Sequence, residues 1–166
     1  PIDKEHDMDK VNFSLDGKLA LVTGASRGIG EPVANALADY GARCILVSRK
    51  EEALKNVAEK IASRGKEAWV MPCHMGDLEQ MRQLFMAIEE RFGRLDILIN
   101  NAATNPYFGE MLGADEKIWD KTFDVNLKGP FFMTVHAARL MALAGGGSIV
   151  NVSSINGIRP APFQGI

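Results

Sequence analysis

The chain has 166 residues, of which 46% are hydrophobic and 24% are charged, a balance that fits one globular domain with a buried core. Its formal net charge of −2 provides no basic face, so we expect no nucleic-acid partner. Charged residues and glycines break the apolar stretches well short of a bilayer span, so we also expect no membrane segment.

The N-terminus and the two cysteines bear on where the protein resides. The first ten residues, PIDKEHDMDK, are too polar for a signal peptide, and we expect residues 1–14 to form an N-terminal arm. Cys44 and Cys73 lie inside apolar runs and lack metal-ligand or disulfide spacing. We interpret both as reduced core thiols rather than metal ligands, which favours a cytoplasmic protein without a metal site.

Short apolar runs alternate with longer amphipathic segments along the rest of the chain. We predict strands at KLALVTG, ARCILVS, EAWVMPC, LDILINNA and GSIVNVSS, in this order. Helices are predicted from Gly30 to about Tyr40, over 51–65 and 78–93, and over one long segment, 115–144. Because such strands and helices form right-handed crossovers, the expected fold is a doubly wound parallel α/β sheet flanked by helices.

The segment LVTGASRGIG places three glycines within seven positions, between the first predicted strand and its helix. In a doubly wound sheet this turn binds the pyrophosphate of a dinucleotide, because the helix N-terminus presents unpaired N–H groups and a positive dipole. A Cβ on Gly24 would crowd the turn, and one on Gly28 or Gly30 would hold phosphates away from the backbone. The alternative is a glycine turn without a ligand.

Four motifs occur in a fixed order: TGASRGIG, NNAA at 100–103, DVNLKG at 124–129 and GSIVNVSSING at 147–157. Together they resemble the short-chain dehydrogenase/reductase family, from about Leu15 onward. The resemblance implies an NAD(P)-binding Rossmann domain over residues 15–166, incomplete at its C-terminus. It also implies an oxidoreductase that transfers a hydride between a nicotinamide cofactor and a carbonyl or secondary alcohol.

The resemblance also places two catalytic residues. Ser154 matches the family serine that hydrogen-bonds the substrate oxygen, with Ser153 as a neighbouring alternative, and Asn126 matches the helical asparagine of the family proton relay. Pro130 has no N–H, so the carbonyl of Asn126 loses its usual helical partner and can hold a water. The family pair Tyr-x-x-x-Lys does not occur in these 166 residues, so we expect this portion alone to be inactive.

The end of the second predicted strand bears on the choice of cofactor. Folds that bind NAD place an acid there for the ribose 2′-OH, whereas this chain has Ser48 followed by Arg49. A hydroxyl and a guanidinium both suit a 2′-phosphate, and Arg27 approaches from the glycine loop. We therefore expect NADP(H) in preference to NAD(H), the alternative being that both arginines are ordinary solvated side chains.

His74 stands where the family usually has an aspartate beside the adenine. It can stack or hydrogen-bond there, and a strand-end histidine without a ligand is the alternative. The full set assigned to the cofactor site is Gly24, Ser26, Arg27, Gly28, Ile29, Gly30, Ser48, Arg49, His74, Asn101, Ala102 and Ala103.

The segments NNAATNPYFG and CHMGD look most similar to the carbonyl and retinal reductase branch of the family. A 3-oxoacyl-thioester reductase is the nearest alternative, followed by a sugar or polyol dehydrogenase. A non-catalytic NADP-binding module is the alternative of a different class, but such a module would need neither Ser154 nor Asn126. The resemblance implies a small-molecule carbonyl or alcohol substrate and a homo-oligomer, either a dimer or a tetramer.

Overall fold

The structure is a computed structural model that describes residues 12–164, so most of the arm expected at residues 1–14 lies outside the described residues. Five parallel strands form one sheet in the order β3-β2-β1-β4-β5. The predicted doubly wound parallel α/β sheet is therefore confirmed. The strands are β1 (Leu19–Thr23), β2 (Arg43–Val47), β3 (Ala68–Val70), β4 (Ile97–Asn100) and β5 (Ser148–Asn151).

Helices connect the strands on both faces of the sheet, as the alternating pattern predicts. The α-helices are α1 (Gly30–Asp39), α2 (Glu51–Ala62), α3 (Leu78–Phe92), α4 (Glu116–Phe123) and α5 (Gly129–Leu143). Two short 3-10 turns, Met111–Gly113 and Ile155–Gly157, and a π-helical segment between α4 and α5 are the other helical elements of residues 12–164.

The core has two layers, because side chains of a strand alternate between the faces of the sheet. On β1, Leu19 and Leu21 pack in one buried cluster with residues of α3 and α5. Ala20 and Val22 pack in a second cluster with residues of α1 and α2. All five residues of β1 are buried, which is why this strand reads as a continuous apolar run rather than an alternating one.

The third and fifth strands are shorter than predicted. EAWVMPC pairs as a strand only over Ala68–Val70. Beyond it, the N–H groups of Met71 and Cys73 still donate to carbonyls of the β2 segment, but Pro72 has no N–H to contribute. In the fifth segment, pairing covers Ser148–Asn151 and stops before Ser153.

The long helix predicted over 115–144 is present as a continuous helical run over 116–143, but it is not α-helical throughout. A π-helical segment, Asp124–Lys128, separates α4 from α5, and the N–H of Gly129 donates to the carbonyl of Asp124, five residues earlier. The irregularity contains Asn126 and ends two residues before Pro130, the residue whose missing N–H led us to expect a disturbed helix here.

Both cysteines are buried free thiols, as the sequence predicts. Burial raises the pKa of Cys44 to about 12 and that of Cys73 to about 11, so both stay protonated at neutral pH. Within residues 12–164, no three His, Cys, Asp or Glu side chains lie close enough together to hold a metal ion. In the same range, no helix is both long and apolar enough to cross a membrane.

The buried carboxylate of Asp96 joins the start of β1 to the segment before β4. It accepts hydrogen bonds from the N–H of Leu19 at 2.9 Å and from Arg94 Nε at 3.0 Å. Burial acts to raise the pKa of Asp96, but the bonds from Arg94 and Leu19 and the charges of Arg94 and Lys18 outweigh it, so the pKa lies below its ordinary value of 3.8.

We expect Asp96→Asn to lower the free energy of unfolding by about 1 to 3 kcal/mol at pH 7, because it weakens charge-assisted hydrogen bonds at a buried site. Folding lowers the pKa of Asp96. The stabilisation is therefore complete at pH values above the ordinary pKa of 3.8, and it is lost as the pH falls from there through the lower pKa of the folded state. Urea titrations of both proteins at pH 7 and pH 3 check this. The exposed pair of Asp39 with Arg64 gives the control, since Asp39→Asn should cost less than about 1 kcal/mol. Equal losses from the two variants would contradict the role of Asp96.

Candidate functional site

The carboxyl ends of the five parallel strands meet at one edge of the sheet, and each predicted site segment follows one of them. The glycine loop follows β1, Ser48 and Arg49 follow β2, His74 follows β3, Asn101 follows β4 and Ser154 follows β5. The strand order reverses between β1 and β4. Open α/β sheets bind ligands at this edge, at the point of reversal.

A cleft of about 500 Å³ lies at this edge. The structure brings eleven of the twelve residues assigned to the cofactor site together in its lining, and Gly30 is the exception. Seven lining residues were not predicted, because nothing in their local sequence distinguishes them from neighbouring core or surface residues. They are Lys50, Ala53, Cys73, Met75, Thr104, Lys121 and Val125.

The three loop glycines have different surroundings. Gly24 has a φ of +66°, and a Cβ there would lie 2.8 Å from Asn101 Nδ2 and 3.0 Å from Ala102 Cα. Gly28 has a φ of +62° but no atom within 4 Å of its Cβ position. A Cβ on Gly30 would press on the Gly24 carbonyl and would lie 2.6 Å from Asn101 Nδ2. Gly24 and Gly30 thus allow the loop to pack against the end of β4, and Gly28 leaves open space beside the backbone.

Gly30 is needed for a different reason from the one that the sequence suggests. We expected its missing side chain to make room for phosphates, but Gly30 is buried and does not line the cleft. Its hydrogen faces the Gly24 carbonyl and the Asn101 amide. What requires glycine at this position is the close approach of α1 to the loop and to β4.

Thr23 and Asn101 fix the end of β4 against the end of β1. Thr23 Oγ1 donates to the carbonyl of Ile99 at 3.2 Å and accepts from the N–H groups of Asn101 and Ala102 at 2.9 and 3.0 Å. Asn101 Nδ2 donates to the Thr23 carbonyl at 3.0 Å. The glycine loop is thereby held at a fixed distance from the first residues after β4.

Asn100, the residue before Asn101, forms its hydrogen bonds with β5 and α5 rather than with the end of β1. Its Nδ2 donates to Asn151 Oδ1 on β5 at 2.9 Å and to Thr134 Oγ1 on α5 at 3.1 Å, with a longer approach of 3.4 Å to the Pro130 carbonyl. Asn100 is 4% exposed, and its buried Oδ1 has no hydrogen-bond partner in the part of the chain that the structure describes. These bonds connect the ends of β4 and β5 with the start of α5.

The lining of the cleft carries cations and no carboxylate. Arg27, Arg49, Lys50 and Lys121 all line it, and the described lining contains neither Asp nor Glu. None of the four cations forms an ion pair with a residue in the range 12–164. Unpaired cations around a concave site attract anionic ligands, and the bare backbone at Gly28 suits the approach of a phosphate.

His74 lies in this cationic wall with both ring nitrogens engaged. Nδ1 accepts from the N–H of Gly76 at 2.9 Å, and Nε2 lies 3.1 Å from Lys121 Nζ. Burial lowers the pKa of His74, and the charges of Lys121 and Arg49 lower it further against the opposing charge of Asp77. The imidazole is therefore neutral at pH 7.

Ser154 and Asn126, assigned to catalysis, do not line the cleft. Ser154 is exposed, and its Oγ accepts from the N–H of Asn156 at 3.2 Å, which caps the short turn after β5. Asn126 Oδ1 accepts from the N–H of Thr104, and Asn126 Nδ2 donates to the Thr104 carbonyl, both at 2.8 Å. The Asn126 side chain therefore holds the cleft-lining segment after β4 in place, which sequence reasoning did not anticipate.

Residues 18–166 match the family described as short chain dehydrogenase. The chain therefore belongs to the short-chain dehydrogenase family of oxidoreductases, as the four motifs predict. It is similar to human Dehydrogenase/reductase SDR family member 4, with 38% identity over 148 residues, which cover 89% of this chain and 53% of the relative.

Solved structures of other organisms share the fold. A putative short-chain alcohol dehydrogenase from Sinorhizobium meliloti 1021 has a TM-score of 0.87 and 39% identity, covering 93% of this chain and 61% of that one. A metagenomic short-chain oxidoreductase in complex with NADP has a TM-score of 0.86 and 35% identity, covering 90% and 68%. The chain spans about half the length of the curated relatives it matches.

Proposed function

We propose that this chain is the nucleotide-binding part of an NADP(H)-dependent carbonyl reductase. The observation that carries the proposal is the cleft at the carboxyl edge of the sheet, lined by a glycine loop and by four cations. Among residues 12–164, these cations have no ion-pair partner and the cleft lining has no carboxylate. An acid beside the adenosine ribose would repel a 2′-phosphate, whereas Ser48 and Arg49 can bind one. The related metagenomic enzyme, whose structure contains NADP, supports the same assignment.

The positions of the site residues along the sheet edge support one orientation of the cofactor. Arg49 follows β2 and Ser154 follows β5, on opposite sides of the strand reversal. A dinucleotide lying along this edge would have its adenosine half beside Arg49, its pyrophosphate at the glycine loop and its nicotinamide towards Ser154. The N–H groups at the start of α1 and the open space at Gly28 would hold the pyrophosphate.

The proposed chemistry divides between the cofactor and the chain. The bound cofactor supplies or accepts the hydride at the nicotinamide. Ser154 orients the carbonyl oxygen of a small ketone, aldehyde or secondary alcohol, and Asn126, beside Pro130, presents a carbonyl that can hold a water for the proton supply. The tyrosine and lysine that the family resemblance requires are absent from these 166 residues, so we expect the 166-residue portion alone to bind cofactor without turning over substrate.

Two further properties belong to the same proposal. Two buried, protonated thiols are compatible with a reducing compartment, and we place the reductase in the cytoplasm. The family resemblance favours a homo-oligomer, a dimer or a tetramer, and sedimentation velocity of the full-length protein tests this.

Replacing Arg49 by aspartate in the full-length protein tests the cofactor assignment. We expect NADPH binding to weaken by about 2 to 4 kcal/mol, roughly thirty- to several-hundredfold, because a charge-assisted bond is lost and a repulsion with the 2′-phosphate is added. NADH binding should change far less. Kd values from fluorescence titrations with both cofactors give the comparison.

Lys55→Asp is the matched control for the charge reversal. Lys55 is an exposed cation of α2 that pairs with Glu51 and Glu52 and does not line the cleft. Its variant should bind both cofactors as the parent protein does. Equal weakening of NADPH and NADH by Arg49→Asp would refute the assignment of Arg49 to the 2′-phosphate.

A further inference from the structure

Lys121 is a cation of the cleft wall that belongs neither to the glycine loop nor to the segment after β2. Its side chain is half-buried on α4 and lines the cleft. It pairs with no carboxylate among residues 12–164. Its Nζ lies 3.1 Å from His74 Nε2.

His74 cannot satisfy the Lys121 ammonium. A neutral imidazole has one nitrogen that accepts and one that carries a proton, and the accepting position, Nδ1, is already used by the N–H of Gly76 at 2.9 Å. Nε2 then carries the proton and faces another donor, Lys121 Nζ. The contact gives the ammonium no acceptor, and the repulsion between the two donors directs the ammonium away from His74 Nε2.

The position of the pair along the sheet edge indicates which part of a dinucleotide it meets. His74 follows β3 and Arg49 follows β2, and these strands are neighbours at the end of the sheet away from β5. Both residues line the same cleft as Lys121. The pair therefore belongs to the adenosine end of the cleft rather than to the end near Ser154.

We propose that Lys121, oriented by His74, donates a hydrogen bond to an acceptor on the adenosine half of the cofactor, either a phosphate oxygen on the ribose or a ring nitrogen of the base. The inference rests on the proposed function, since it takes the cleft to be a dinucleotide site. Lys121 is then a specificity-determining residue, and His74 is a positioning residue that acts through it. The binding of an acceptor relieves the unsatisfied ammonium that the His74 contact leaves.

Three fragments of the cofactor test the proposal by calorimetric titration into the full-length protein. They are 2′,5′-ADP, 5′-AMP and nicotinamide mononucleotide. Lys121→Met keeps the length of the side chain and removes its charge. We expect it to weaken 2′,5′-ADP binding about ten- to a hundredfold and to leave nicotinamide mononucleotide unchanged. Loss restricted to 2′,5′-ADP assigns the bond to the 2′-phosphate, and equal loss of 5′-AMP assigns it to the base.

Two further variants complete the test. His74→Asn tests whether His74 positions Lys121, and Lys128→Met tests whether the loss of any nearby positive charge weakens binding. In His74→Asn, the amide oxygen can still accept from Gly76 while the contact with Lys121 is lost, so we expect a smaller weakening, about threefold, with the same ligand pattern as Lys121→Met. Lys128→Met is the matched control, because Lys128 is an exposed lysine that pairs with Asp124 at 3.2 Å and does not line the cleft.

The outcomes distinguish this inference from the function on which it rests. If the parent protein binds 2′,5′-ADP and Lys121→Met binds it equally well, the role of Lys121 is refuted while the nucleotide site stands. Equal losses from Lys121→Met and Lys128→Met, or an equal loss for nicotinamide mononucleotide, would also refute it. If the parent protein binds none of the adenosine nucleotides, the proposed function itself fails.

Discussion

Gly30→Ala is expected to lower the free energy of unfolding by about 3 kcal/mol, since the added methyl would press on the backbone carbonyl of Gly24 and on Asn101 Nδ2. Neither group is free to move. Gly24 is held between β1 and β4, and the Asn101 amide donates to the Thr23 carbonyl at 3.0 Å. The loss corresponds to a fall in Tm of about 6 to 12 °C for a domain of this size.

The same substitution is expected to abolish detectable nucleotide binding, because the loop must shift away from β4 to admit the methyl group. Differential scanning calorimetry and an NADPH fluorescence titration of the full-length protein measure the two effects. Gly157→Ala is the control, since no atom of residues 12–164, its chain neighbours aside, lies within 4 Å of the added Cβ, and its Tm should stay close to that of the parent. An unchanged Tm for Gly30→Ala would show that α1 can retreat from the loop without cost, contrary to the close packing described above.

Ser154→Ala in the full-length protein is expected to lower kcat of the proposed reaction about a hundred- to a thousandfold, the usual cost of removing one hydrogen-bond donor to a reacting oxygen. Cofactor affinity should change little, since Ser154 does not line the cleft. The structural cost should also be small. The hydroxyl accepts one exposed hydrogen bond from the Asn156 N–H at 3.2 Å, a cap worth about 1 kcal/mol.

Ser153→Ala is the matched comparison, because Ser153 is also exposed and also follows β5. It should leave kcat within a few-fold of the parent value. Steady-state kinetics with a small ketone and NADPH, together with Kd values for NADPH, separate turnover from binding. The reverse ranking of the two variants would mean that Ser153 is the residue that contacts the substrate.

The sheet and the glycine loop could be predicted because their signals are local. Apolar runs such as LALVT form strands that are buried on both faces, and the glycines directly after β1 must accommodate a turn with positive φ at Gly24 and Gly28. Strand ends in a parallel sheet share one edge. Residues at or directly after the end of a run, such as Ser48 and His74, could therefore be placed in one site from the sequence.

The site residues that could not be predicted from the sequence depend on contacts between distant segments. Lys121 meets His74 across 47 positions, and nothing in the sequence of α4 distinguishes it from Lys117. The pairing of Asn126 with Thr104 also joins distant segments, across 22 positions. The π-helical segment was missed for a different reason, because hydrophobic periodicity predicts where a helix lies but not whether one turn holds an extra residue.

The two adjacent asparagines at the end of β4 act as a rigid coupling between the halves of the sheet edge. Asn101 is bonded to Thr23 beside the glycine loop, whereas Asn100 is bonded to Asn151 on β5 and to Thr134 on α5. A single peptide bond joins these two anchors. We therefore expect a displacement of the glycine loop to reach the strand that leads to Ser154 through two amides and one peptide plane, without any rearrangement of the apolar core.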